Sequence, residues 1–389
     1  MVTEQTTMSL SSKREYLQRI HGRYQRSGRE HKSKILDEFC AVCSYHRKFA
    51  LRLLNGSLHQ RRRRPGPKRL YEPQRLLPTL KEVWLLADQP CGKLLKASLP
   101  LWLPALPVDQ QVQRKLLAMS AATLDRMLKP LRFKYRRRGF CTTKPGKLLR
   151  HHIPLRDGPA DTQHLGHIEA DTVAHCGDST AGDFIYSLTF TDVCTGWTEL
   201  RATWNKSAHG ILEQLKHIEE HLPFRMRSFH ADNGSEFLNW PLWEYLHGKR
   251  RVRFTRSRPY RKNDNAHVEQ KNWTHVRQLF GHGRFEHQSL VALMNRIYAN
   301  WNVLQNHFRP TFKLRSKEKL GSRYRRRYEK PRTPYQRLAQ RTELSPQARH
   351  QLKEEHQRLN PVLLKKNIEQ DLKLFFTALG NLNREATYP

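Results

Sequence analysis

The sequence predicts a multidomain chain: all-α helix-turn-helix modules, then an α/β core with a mixed five-stranded sheet, then a mainly helical, basic C-terminal region. Three observations predict it. Apolar residues recur at three- and four-residue steps across 14–60 and 76–132, the period of buried helix faces. From 165 onward, β-branched and aromatic runs of strand length appear, first in succession and then alternating with helical stretches. Two basic segments punctuated by Pro and Gly, RRRRPGPKR and FKYRRRGFCTTKPGK, interrupt the periodicity between these parts.

Residues 1–60 form the first expected module. Two helices separated near Ser44 and closed by Asn55-Gly56 have the rhythm of a helix-turn-helix. The second helix, Tyr45 to Leu54, carries Arg47, Lys48 and Arg52, which would face a DNA groove. Cys40 and Cys43 are spaced as one pair of zinc ligands, but a second pair is missing. Ile35, Leu36, Phe39, Cys40 and Cys43 instead recur as one buried helical face. A basic arm follows over 61–75, with Arg61, Arg62, Arg63, Arg64, Lys68 and Arg69. Pro65 and Pro67 forbid a regular helix there, so the arm is extended, suited to a narrow minor groove or else a solvated linker. A second helical module spans 76–132, with Ser120 leading into a recognition-type helix from Ala121 to Leu128. A basic linker, 133–159, leads into the core.

The core occupies 160–310. A short strand at Leu165–Thr172 precedes strands at Asp183–Val193 and Thr195–Trp204, joined by a tight turn as in an antiparallel meander. A helix over Ser207–Leu222 follows, then a strand ending at Asp232, a helix near Asn239–His247 and a strand at Arg251–Thr255. Helices at Asn265–Phe280 and from about Gln288 to Leu304 complete the order of a ribonuclease-H-like fold. Within the first of these, Trp273, Val276 and Phe280 are expected on the packing stripe, as core rather than base-stacking residues. The C-terminal region, 311–389, opens on a charged, Pro- and Tyr-containing stretch and becomes helical over 345–377.

Composition points to a polyanionic partner. Lys plus Arg number 71 against 35 Asp plus Glu, a formal net charge of +36 in 389 residues. The exception is 151–200, with one Arg and eight acidic residues, so cationic flanks surround an acidic centre. No apolar run approaches the ~18 residues of a membrane span, and the N-terminus lacks a signal-peptide apolar stretch. Six scattered cysteines do not form a disulfide framework.

Three acidic residues stand out in that centre: Asp171 in HIEADTV, Asp232 in SFHADNGSEF and Glu269 in NDNAHVEQKN. In-line displacement at a phosphodiester needs charge neutralised on attacking and leaving oxygens, which two divalent ions ~3.5–4 Å apart supply. Hard ions take oxygen ligands and keep several waters, so two Asp and one Glu suffice. Glu169, two residues before Asp171 on the same strand face, is the rival ligand. Asp178, Asp183, Asp192 and Glu199 read as turn or surface carboxylates, and Glu236 as a helix-start residue. Arg256, Arg258, Arg261 and Lys262 lie beside the catalytic end, where DNA phosphates would pass, and Tyr260 could stack on a base.

Over 160–310 the chain resembles the catalytic core of the DDE transposases of bacterial insertion sequences and of retroviral integrases. The resemblance rests on Asp171 in IEADTV, on Asp232, Asn233-Gly234 and Glu236-Phe237 in ADNGSEF, and on Glu269 with Asn272 in V-E-x-x-N. It implies that Asp171, Asp232 and Glu269 bind two Mg2+ ions, with Mn2+ able to substitute, and that Asn272 lies at the DNA. It further implies cleavage at the ends of a mobile element and strand transfer into target DNA, by a homo-oligomer of at least two subunits in the bacterial cytoplasm, associated with the nucleoid. Its partners would be double-stranded DNA and further copies of itself, with no membrane; a helper ATPase is not indicated. The alternatives are a transposase-derived DNA-binding regulator without catalysis and a structure-selective nuclease.

Overall fold

The computed structural model describes residues 8–57, 70–132, 153–156, 161–258 and 266–387. The chain divides after Leu70 into two compact units. The first contains α1 (Leu10–Arg26), α2 (Arg29–Cys43) and α3 (Arg47–Asn55). Ser9 caps α1 by accepting the Ser12 N–H, and Ser44 ends α2 in the left-handed region at φ 55°. Ile20, Tyr24, Ile35, Leu36, Phe39, Ala50 and Leu54 form the core. Cys43 is fully buried among them and Cys40 packs alongside, so the cysteine pair is part of the helix face. The arm with Arg61, Arg62, Arg63, Arg64, Lys68 and Arg69 lies outside the described residues, as does 133–152.

The second unit starts with α4 (Pro73–Leu86), α5 (Gly92–Trp102), α6 (Gln110–Ala118) and α7 (Ala121–Arg132). Asp109 caps α6 through the N–H groups of Gln111 and Val112. The helix expected at Ala121 starts there and continues to Arg132.

The sheet comprises β1 (His167–Ala174), β2 (Ile185–Asp192), β3 (Thr198–Trp204), β4 (Ser228–Ala231) and β5 (Arg253–Arg256), in the spatial order β3-β2-β1-β4-β5. The first three strands pair antiparallel, while β4 and β5 add in parallel, giving the mixed five-stranded sheet expected from sequence. Ile168, Ala170, Phe229 and Ala231 pack on one face against α8 (Ala208–His221) and α9 (Trp240–Trp243), which continues as a π-helical turn over Glu244–Lys249. Val173, Ile185, Leu200 and Ala202 pack on the other face. There lie α10 (Ala266–Lys271), a π-helical turn over Asn272–Arg277, α11 (Gln278–Phe280) and α12 (Leu290–Phe308). Strand alternation therefore directs Glu169, Asp171 and the position of Asp232 toward this second face.

Both sheet edges carry added hydrogen bonds. Side chains from α12 bond the backbone of β3: Asn306 to Thr198, Asn302 to Leu200 and Asn295 to Ala202, each as donor and acceptor. At the other edge, Arg256 donates its N–H to Pro154 O and accepts from the Arg156 N–H, both at 2.9 Å. Unpaired strand edges otherwise template pairing with other chains.

The C-terminal region differs from expectation at its start. The charged stretch forms an antiparallel ribbon, β6 (Leu314–Leu320) and β7 (Arg323–Tyr328), before α13 (Pro334–Leu338), α14 (Pro346–Arg358) and α15 (Pro361–Thr387). The ribbon lacks the apolar face that marks a strand in sequence. Helix α15 lies against α12, and the cores of α4–α7, α12 and α15 are continuous: Trp84, Trp102, Leu128, Trp301, Ile368 and Phe375 share one cluster. The Trp102 indole donates to Phe308 O at 3.1 Å, and Asp88 pairs with Arg309 at 3.3 Å and Lys365 at 2.7 Å. Among the described residues no helix is long and apolar enough to cross a membrane.

Candidate active site

The parallel register pairs Ala170 with Ala231, so the next residues on the two strands, Asp171 and Asp232, stand side by side. Neighbouring strands lie ~4.8 Å apart, which brings the two carboxylates together at the end of β4. Asp232 is one residue past that strand; its Oδ1 accepts the Gly234 N–H at 2.9 Å and fixes the turn. A Cβ at Gly234 would come within 2.5 Å of the Glu236 carboxyl, so any larger residue there displaces that side chain. Glu269, exposed on α10, is close enough to act electrostatically on both aspartates.

Burial pushes the Asp171 carboxyl up to about 8, with Asp232 and then Glu269 adding to the rise. The Thr172 N–H at 2.8 Å and the Asn272 amide at 2.6 Å oppose it. Asp232 is pushed up to about 6, first by burial and then by Glu236, with the Gly234 N–H and Lys206 opposing. Glu236 is itself buried; it accepts the Thr172 hydroxyl at 2.8 Å and lies 3.9 Å from Lys206. The sequence reading of Glu236 as a helix-start residue therefore needs correction: it lies in the turn ahead of α9, where buried Phe237 draws the segment inward and the missing Gly234 side chain makes room for the carboxylate. Its place in the ADNGSEF motif was the available signal.

Glu169, the rival ligand, is buried and otherwise engaged. It pairs with Arg156 at 3.0 Å and accepts the backbone N–H of His267 at 3.2 Å, tying β1 to the start of the helix that carries Glu269. Asp192 organises the β2–β3 turn by accepting from Gly166, Thr195 N–H and the Thr195 hydroxyl. Glu199, expected as a turn or surface carboxylate, is half-buried on β3, its carboxylate accepting from the Trp197 indole at 2.8 Å and the Asn302 amide at 2.7 Å.

The basic residues divide. Arg256 donates to Ile153 O at 2.8 Å and Asn233 Oδ1 at 3.1 Å, bracing the Asp232 turn. Arg258 lies at the end of the described segment, and Arg261, Lys262 and Tyr260 fall outside it. In the first unit Lys48 and Arg52 are exposed on α3, with Arg52 5.1 Å from the Phe49 ring centroid, while Arg47 pairs with Asp37. Trp273 is 47% exposed, whereas Val276 and Phe280 are buried. The expected common stripe fails because the π-helical turn Asn272–Arg277 changes the residue period between Trp273 and Val276.

A divalent ion fits this donor set. Two Asp, one Glu and the buried Asn272 Oδ1, which has no hydrogen-bond partner among the described residues, are all hard oxygen donors. Crowded carboxylates with raised pKa values are short of positive charge. Among the described residues no three His, Cys, Asp or Glu side chains already close into a metal cage.

Residues 161–262 match the integrase core domain, a domain that generally uses divalent metal ions. The chain is 36% identical over 340 residues to the uncharacterized protein y4rM of Sinorhizobium fredii, covering 84% of this chain and 95% of that protein. Among solved structures it is similar to a chain of the simian T-cell lymphotropic virus intasome in complex with PP2A regulatory subunit B56 gamma, at 14% identity and a TM-score of 0.30. That match covers 52% of this chain and 66% of the other. The chain thus belongs to the family of the Sinorhizobium fredii protein and carries an integrase core domain over residues 161–262.

Proposed function

We propose that the chain is a DNA transposase that binds the terminal inverted repeats of a mobile element, cleaves at their 3′ ends and transfers the strand into target DNA. The observation that carries this reading is the side-by-side placement of Asp171 and Asp232, with Glu269 in electrostatic range. When bound, a pair of Mg2+ ions would supply the charge that neutralises the attacking and leaving oxygens. The protein's part is positioning. Asp171 presents its oxygens from β1 and Asp232 from the turn just past β4, and Glu269 closes the donor set from α10. Asn272 orients Asp171 through its 2.6 Å hydrogen bond, and Glu169 fixes the start of α10. Water, and then the freed 3′ hydroxyl, would be aligned for in-line attack without a covalent protein intermediate. The exposed cations of α3 and the basic arm with Arg61–Arg64 would hold the element's end. Because two ends must be joined to one target, at least two subunits would act together.

The test is Asp232→Asn in the full-length protein. It should abolish cleavage and strand transfer on a duplex carrying the element's end while leaving affinity for that duplex intact. With DNA present, Mg2+ should raise the melting temperature of the wild type but not of the variant. A site-specific ligand adds about 2.7 kcal/mol at a hundredfold excess over its dissociation constant. Wild-type-like strand transfer by Asp232→Asn would refute the assignment of Asp232, whereas wild-type protein that binds the duplex but neither cleaves nor joins it would leave the DNA-binding regulator as the better reading.

A further inference from the structure

The β6–β7 ribbon is exposed along almost its whole length. Its two strands, LRSKEKL and RYRRRY, hold seven cations, Arg315, Lys317, Lys319, Arg323, Arg325, Arg326 and Arg327, against the single acid Glu318. None of the seven forms an ion pair among the described residues. The register sorts the side chains. Pairing of Ser316 with Arg327, Glu318 with Arg325 and Leu320 with Arg323 places Arg323, Arg325 and Arg327 in a row on one face. Strand geometry spaces them ~6.8 Å apart. Lys317, Lys319, Tyr324, Arg326 and Tyr328 share the opposite face, where Lys317 lies 4.5 Å from the Tyr324 ring centroid.

A lone two-stranded ribbon is marginal in water, and this one also carries like charges side by side. Its base is pinned firmly. Thr311 and Arg332 pair across the root, and Glu329 N–H donates to Lys313 O at 2.9 Å. Lys313 donates to Thr162 O and Cys194 O, and the buried Arg337 donates to Thr311 Oγ1 and Thr311 O. These anchors lie at the β2–β3 turn, beyond the His167 end of β1, whereas Asp171 lies four residues further along that strand. A rigid root with a bare cationic arm is poorly explained as edge protection, for which one or two lysines suffice. Tyr324 and Tyr328, 53% and 51% exposed, add stacking surface that a merely solvated ribbon would not present. Arginine, more than lysine, matches phosphate geometry, and B-DNA's major groove admits a two-stranded ribbon.

We infer that the β6–β7 ribbon is a duplex-DNA arm whose row of Arg323, Arg325 and Arg327 sits on phosphates away from the catalytic centre. The inference rests on the DNA-processing reading above. The arm engages duplex without regard to sequence, because phosphate contacts position the protein and carry no base information.

The experiment measures binding of the full-length protein to a random-sequence duplex across a salt series. The variants are the triple Arg323→Gln/Arg325→Gln/Arg327→Gln and an equal-charge control, Lys353→Gln/Lys366→Gln/Lys373→Gln, on exposed positions of α14 and α15. Each lost phosphate contact removes about 0.9 from the log–log slope, so the ribbon variant should lose about 2.7 and the control close to nothing. Equal slopes for ribbon and control variants would overturn the inference. So would a ribbon variant that keeps the wild-type slope but loses self-association in DNA-free sedimentation, which would make the ribbon a contact between copies. Wild-type protein that fails to bind duplex at all would instead remove the DNA reading beneath it.

Discussion

The Asn272 amide donates to Asp171 Oδ2 at 2.6 Å, linking the π-helical turn after Glu269 to the middle of β1. The helix carrying one acid is thus anchored to the strand carrying another, and Glu169 secures the same helix at its first turn through His267. Together these bonds fix the relative position of three carboxylates that would otherwise repel.

Asn272→Ala should therefore lower cleavage and strand transfer about 10- to 100-fold, the usual effect of losing a group that orients a metal ligand. Affinity for DNA should hold. Activity that recovers fully at saturating DNA, with weakened binding, would place Asn272 at the DNA instead.

Trp273→Ala addresses the exposed ring four residues after Glu269. The side chain is 47% exposed, so the fold should survive its removal. A ring that stacks on an unpaired base contributes about 1–3 kcal/mol, so affinity for a frayed element end should fall about 5- to 150-fold. Fully paired DNA should be bound much as before. Unchanged affinity for both substrates would return Trp273 to an incidental surface residue.

Phe375 and Phe376 are adjacent on α15, but only Phe375 is fully buried, with ring centroids 5.1 Å from both Phe280 and Phe285. Phe375→Ala should cost about 3–5 kcal/mol in denaturant unfolding. Phe376→Ala, at an exposed position, should stay within about 0.5 kcal/mol. Equal losses would mean that α15 does not close the core under the catalytic helix.

Burial pushes the Glu199 carboxyl up to about 7 despite hydrogen bonds from Trp197 and Asn302. An acid whose folded pKa is raised stabilises the fold below its unfolded pKa, near 4.5, and loses that contribution as pH rises toward 7. Glu199→Gln cannot ionise. Its stability relative to wild type should improve by about 3 kcal/mol between pH 4.5 and 7 and then level off, since each pKa unit is worth about 1.4 kcal/mol. A pH-independent difference would show that Glu199 is not buried as a neutral acid.

The sheet and the aspartates were legible in sequence because both signals are local. Alternation along 165–204 marks the meander, and Asp171 and Asp232 follow apolar strand residues within short motifs. Trp273 was misread because a π-helical turn leaves no mark in the apolar spacing, so a 3.6-residue period was carried through it. Glu199 was misread because its burial depends on Asn302, a hundred positions away in the chain. The ribbon was missed for the opposite reason: a strand pair without a buried face has no hydrophobic alternation to read. Glu236 was set aside because its burial depends on what Gly234 lacks.

Asn295, Asn302 and Asn306 occupy the backbone groups of Ala202, Leu200 and Thr198 on β3, and Pro154 with Arg156 occupies those of Arg256 on β5. The consequence appears when many copies crowd along one length of DNA. Local concentration rises steeply there, and an open sheet would recruit its neighbours strand by strand into an irreversible polymer. With those groups already taken, the described margins of the five-stranded sheet leave a neighbouring copy little main chain to pair with. Contacts between copies there fall to side-chain surfaces, which can form, be tested and come apart again.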